Sequence, residues 1–125
     1  MTKDKFLELL PAICEAARSL GYAVGLHGSL ARDYDLIAVP WTETAAHPDE
    51  VAEAIKTAAG CVRWRVYRGM GIQREEAARK AGCQATPEDK PHGRLVYCFD
   101  WDKENFQNAD YIDLSVMPRS PVVSD

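Results

Sequence analysis

The chain has 125 residues and a mass of 13.9 kDa, long enough for one domain with a buried core and too short for two. Its 46% hydrophobic and 27% charged residues exclude disorder along the whole chain. The net charge of −4 argues against a non-specific nucleic-acid binder, which carries a basic excess, while leaving room for a local basic groove.

Met1-Thr2-Lys3-Asp4-Lys5 runs straight into an amphipathic pattern, with no apolar h-region and no segment of transmembrane length, so a cytoplasmic protein without a membrane partner is expected. Phe6, Leu9, Leu10, Ile13, Ala17 and Leu20 recur at helical spacing and Gly21 follows as a C-cap, which predicts a first helix. Tyr22 to His27 reads as a short strand. Asp35 to Val39 reads as the next, ended by Pro40, which cannot donate to a ladder. His47-Pro48-Asp49-Glu50 opens a second helix, with proline near N1 and two acids in the positive first turn; Val51, Ala54, Ile55 and Ala58 form its apolar face and Gly60 closes it.

Val62, Trp64 and Val66 alternate with Arg63, Arg65 and Tyr67 in a third strand whose arginines are expected on a solvated outer side, broken by Gly69-Met70-Gly71. Gln73 to Ala81 reads as a short polar helix and Gly82 to Gly93 as a long loop, a type of segment that often carries function. Leu95, Tyr97, Phe99 and Trp101 alternate in a fourth strand. After a polar turn, Ile112, Leu114 and Val116 make the apolar face of a last strand that ends at Pro118; residues 119–125 are expected to form a flexible tail. Cys14, Cys61, Cys83 and Cys98 show no zinc spacing and are expected to be reduced, with Cys14 and Cys98 acting as small hydrophobes. Trp41, Trp64 and Trp101 read as core or edge hydrophobes.

The chemistry centres on three aspartates. Asp33 and Asp35 have one residue between them, so on a strand both point to one face, roughly 7 Å apart at the backbone. Asp113 projects beside Ser115 from the polar side of the last strand. If that strand neighbours the first pair, three carboxylates converge in an all-oxygen set suited to Mg²⁺ or Mn²⁺ rather than zinc. The bland alternatives are a hairpin turn for Asp33 and Asp35, whose side chains then satisfy local backbone donors, and a solvent-facing position for Asp113. Lys90, His92 and Arg94 bracket Pro91 and Gly93 in a cationic cluster that suits phosphate, and equally a solvated turn. Arg32 either joins them or screens the acids. His27 is expected to be a packed strand histidine, with a general base as the alternative.

An apolar residue followed by Gly-Ser, an Asp-x-Asp on the following strand and a third acid on a later strand together resemble the nucleotidyltransferase superfamily with the polymerase-β-type fold, in its minimal single-domain form. The matching residues are Leu26-His27-Gly28-Ser29, Asp33-Tyr34-Asp35 and Asp113. The chain also looks similar to short bacteriophage proteins that carry His-Gly-Ser, Asp-Leu-Ile-Ala-Val-Pro-Trp, Lys-Pro-His-Gly-Arg and Tyr-Ile-Asp-Leu-Ser segments.

The superfamily resemblance implies an α+β domain over residues 1–118, with a mixed, mainly antiparallel sheet of about five strands and two main helices on one side. It implies Mg²⁺- or Mn²⁺-dependent nucleotidyl transfer from a nucleoside triphosphate to an acceptor that the sequence leaves open, as it does the oligomeric state. Asp33 and Asp35 would hold metal bridging the phosphates, and Asp113 would bind a second ion and help deprotonate the attacking hydroxyl. Gly28 and Ser29 would touch the outer phosphates. The pattern departs from the family in one place. Only Leu30, Ala31 and Arg32 separate Gly-Ser from the aspartates, which predicts a tight hairpin in place of a helix N-terminus that would cradle phosphate. The same residues also suit a non-catalytic binding protein that kept the fold and meets phage or host factors, or a metal-dependent phosphodiesterase.

Overall fold

The computed structural model describes residues 1–28, 30, 33–66, 93–102 and 110–119. The expected polar helix over 73–81, most of the loop over 82–93 and the tail beyond Arg119 lie outside the described residues.

The first helix, α1 (Lys3–Ser19), starts at Thr2, whose hydroxyl accepts the Lys5 N–H over 3.2 Å, and buries Phe6, Ile13 and Ala17, the stripe expected from their spacing. Gly21 follows with φ of +88°; a Cβ there would lie 2.3 Å from the Thr42 hydroxyl, so only glycine fits. The second helix, α2 (Pro48–Ala58), is capped by His47, whose Nδ1 accepts the Asp49 N–H over 3.1 Å. Its core-facing residues are Val51, Ala52 and Ile55, a slight rotation from the expected stripe. Asp49 is buried in the first turn, and its carboxylate accepts the Tyr97 hydroxyl and ties the helix to the sheet.

Five strands, β1 (Tyr22–His27), β2 (Asp33–Pro40), β3 (Arg63–Val66), β4 (Leu95–Asp100) and β5 (Tyr111–Val116), form one sheet in the order β1-β2-β5-β4-β3. The β2–β5 pair is parallel and the other three are antiparallel, so the expected α+β architecture with a mixed, mainly antiparallel sheet is the one observed. The strand β2 begins earlier than expected: Asp33 is already paired with Tyr111 of β5, so both aspartates lie in the ladder rather than in the turn before it.

Period-two alternation divides the sheet into two chemistries. Leu36, Ala38, Tyr97, Phe99, Ile112, Leu114 and Val116 are buried in one cluster with Phe6, Ile13, Val51 and Ile55 of the helices. The opposite face carries His27, Asp33, Asp35, Asp113, Ser115, Cys98 and Asp100, positions that are out of phase with the core residues on the same strands. Tyr34, between the two aspartates, points to the core side, stacks on Phe6 with ring centroids 4.3 Å apart and meets Trp101 edge-on at 6.0 Å. That anchor holds the acidic strand against the helices. Trp64 and Trp101 pack on the core, as expected, whereas Trp41 just past β2 is 69% exposed.

Replacing Phe6 by alanine removes a fully buried ring and half of the Tyr34 stack. The expected cost is about 3–5 kcal/mol in denaturant unfolding, as for other buried Phe→Ala changes; a loss under about 1 kcal/mol would contradict this packing.

Candidate metal centre

The centre is built by strand pairing. The hairpin of β1 and β2 sets His27 opposite Asp35, and the parallel pairing sets Asp33 opposite Tyr111 and Asp35 opposite Asp113. Because pairing partners point to the same face, the carboxylates of Asp33, Asp35 and Asp113 converge, each offering an oxygen within 4.8 Å of the others. All three are half-buried. A donor set made of carboxylate oxygens at this separation suits a hard divalent cation, whose other coordination positions take water or substrate oxygens.

The electrostatics agree with a site built for positive charge. Burial, followed by the charges of Asp33 and then the opposing influence of His27, sets the balance at Asp35, whose carboxyl is held above its ordinary value of 3.8. Asp113 is held above the same value, chiefly by burial and then by the charges of Asp35 and Asp33, with His27 and Arg94 acting against them. Like charges this close raise the cost of ionising the set, and a cation removes that cost.

Gly28 closes one side. It has φ of +80°, a conformation strained for any side chain, and a Cβ built on it would stand 2.7 Å from Oδ2 of Asp35, so the turn brings bare backbone against this carboxylate. Leu30 also has positive φ, at 57°, and β1 and β2 pair antiparallel. Arg94, entering β4, is half-buried and donates from Nη1 to the Ser115 hydroxyl over 2.9 Å. Ser115 lies two residues beyond Asp113 on the same face, so the guanidinium borders the acidic set. His27 is exposed on the acidic face, not packed as expected. Ser29, Arg32, Lys90 and His92 lie outside the described residues.

Three features of this face of the sheet are not legible in the sequence. Tyr111 donates its hydroxyl to Oδ2 of Asp33 over a long 3.4 Å; burial, then the Asp33 charge, push its pKa up, which keeps it a donor at neutral pH. Cys98 is not part of the apolar face: it pairs with Asp113 on the polar one, buried, with its thiol pushed up to about 12 by burial first and the Asp113 charge second. It is a neutral thiol at physiological pH and a poor nucleophile. Arg63 and Arg65, expected on a solvated face, have side chains only 10% and 17% exposed and both pair with the fully buried Asp100. The available signal is Asp100 itself, an acid at the end of an apolar strand, the next described strand in sequence after its partners. Among the described cysteines, Cys14, Cys61 and Cys98 are free, as expected.

No protein-family model matches the chain, and no curated protein matches it. No helix among the described residues is long and apolar enough to cross a membrane.

The raised carboxyls of Asp35 and Asp113 have a definite sign in stability. A carboxyl with a higher pKa in the folded chain favours folding while protonated, and that contribution is lost as pH rises from below 3.8 through the raised values. Without divalent cation, Asp113→Asn is therefore expected to gain stability over the unmodified chain as pH rises through that range, and added Mg²⁺ should stabilise only the unmodified chain. Melting curves across pH test this; a stability difference that stays flat with pH would contradict it.

Proposed function

We propose that this chain catalyses nucleotidyl transfer from a nucleoside triphosphate to an acceptor hydroxyl, using Mg²⁺ or Mn²⁺ held by Asp33, Asp35 and Asp113. The observation that carries this reading is the convergence of three carboxylates from two neighbouring strands, with ligand oxygens within 4.8 Å of one another. It is the arrangement that the resemblance to minimal nucleotidyltransferases implies for these residues.

When bound, the cation supplies the charge that offsets negative charge building on phosphoryl oxygens during in-line displacement. The chain does the rest. Asp33 and Asp35 hold the ion through carboxylate oxygens, at a turn where Gly28 keeps the backbone close to Asp35. Asp113 accepts the proton of the acceptor hydroxyl as its oxygen bonds to the α-phosphorus and the bond to pyrophosphate breaks. Arg94, beside Asp113 and fixed by Ser115, offers its guanidinium to a phosphate oxygen. Phosphate recognition falls to Arg94 and to the residues named with it, Ser29, Arg32, Lys90 and His92.

Calorimetric titration with Mg²⁺, with and without a nucleoside triphosphate, followed by incubation with labelled triphosphate and a cell lysate, tests the proposal. Cation-dependent triphosphate binding and label transfer that Asp35→Ala abolishes are expected. Cation binding without triphosphate binding would point instead to a binding protein, cleavage of nucleic acid without added nucleotide would point to a phosphodiesterase, and label transfer that survives Asp35→Ala would exclude this mechanism.

A further inference from the structure

On the same face of the sheet runs a second polar network, beginning at the far edge from the acidic set. Asp100 is fully buried at the end of β4, and its carboxylate accepts Nε of Arg63 at 3.2 Å, Nη2 of Arg63 at 2.7 Å, Nε of Arg65 at 2.6 Å and the backbone N–H of Asp102 at 3.1 Å. A buried acid held by two arginines is costly to break, since loss of either partner leaves charge unpaired in a dry site. The guanidinium of Arg65 is thereby placed, and it lies 4.4 Å from the centroid of the Tyr111 ring, within cation–π range. Tyr111 sits opposite Asp100 on one side and opposite Asp33 on the other. Its hydroxyl reaches Oδ2 of Asp33.

Four side chains thus connect a buried anion on β4 to an oxygen of one carboxylate in the acidic set. Each of that set has a different neighbour. Gly28 backbone presses on Asp35, Arg94 borders Asp113 through Ser115, and Tyr111 faces Asp33. Asp33 opens its strand beside the turn, where repulsion from Asp35 and Asp113 favours swinging its carboxylate away into water. A donor on one oxygen opposes that swing.

We propose that Tyr111 is a positioning residue for Asp33, held in place by the Asp100–Arg65 pair, so that one oxygen of Asp33 is fixed by the tyrosine hydroxyl and the other is presented to the cation. This rests on the reading of the three aspartates as a metal centre. The purely structural alternative, a tyrosine that covers the sheet and merely lies near Asp33, predicts no effect of the hydroxyl on cation affinity.

The deciding measurement is Mn²⁺ affinity of the full chain by electron paramagnetic resonance, alongside melting temperature without cation. Tyr111→Phe, which removes one oxygen and keeps the ring, is expected to weaken Mn²⁺ binding about 10-fold, the low end of the effect of outer hydrogen bonds to metal ligands, with the melting temperature unchanged. Arg65→Lys should weaken binding in the same direction, and combining it with Tyr111→Phe should add nothing, because Arg65 acts through the hydroxyl. Tyr34→Phe, which removes a hydroxyl from the opposite face of β2, should bind as the unmodified chain does. Unchanged affinity in Tyr111→Phe, additive losses in the double variant, or equal weakening by Tyr34→Phe would each overturn the proposal. Absence of Mn²⁺ binding by the unmodified chain would instead overturn the metal reading beneath it.

Discussion

Because β2 and β5 run parallel with Asp35 set opposite Asp113, carboxylates from segments far apart in sequence leave the same face of the sheet side by side. Everything proposed for the site depends on that register. A slip by one residue would send Asp113 to the helix side and bring Ile112 or Leu114 out to the acids, exchanging a cation site for an unpaired charge in the core. The register is enforced from the other face, where Leu36, Ile112, Leu114 and Val116 are fully buried and cannot be exchanged for their polar neighbours without losing the core. The hydrophobic face specifies the pairing, and the polar face inherits its geometry.

The same division explains why a site of mutual repulsion is tolerated. Tyr34, between the two acids of β2, stacks on Phe6 and meets Trp101, so the strand is anchored where its polar side is least favourable. Asp49 and Tyr97 fasten α2 to β4, and the Asp100 cluster fastens β3 to β4. The acids are therefore held together by a scaffold whose stability comes from elsewhere, an arrangement expected where local strain serves binding. Asp35 and Asp113, with their raised proton affinities, register that strain, and a divalent cation is the ligand that would relieve it.

Local patterns in the sequence reached the helices, the β1–β2 hairpin, the alternation of β4 and β5 and the polar projection of Asp113, because each depends on periodicity or turn chemistry within a short window. They also reached the three aspartates as one set, since two of them share a strand and the third stands alone in an apolar one. The burial of the β3 arginines is not legible in the sequence because their partner, Asp100, belongs to another strand, and pairing across strands is decided by register rather than by neighbours in sequence. Tyr111 and Cys98 escaped for the same reason: nothing near Tyr111 in sequence places it opposite Asp33, and Cys98 sits in an apolar run while pairing with Asp113. His27, read as packed, is exposed because the hairpin sets it across from Asp35 on the polar face.

A crystal of the protein soaked in Mn²⁺ and measured at the manganese absorption edge tests the central claim most directly. The account predicts an anomalous peak bounded by carboxylate oxygens of Asp33, Asp35 and Asp113. A soaked crystal in which manganese scatters elsewhere, with these three carboxylates turned apart, would contradict it.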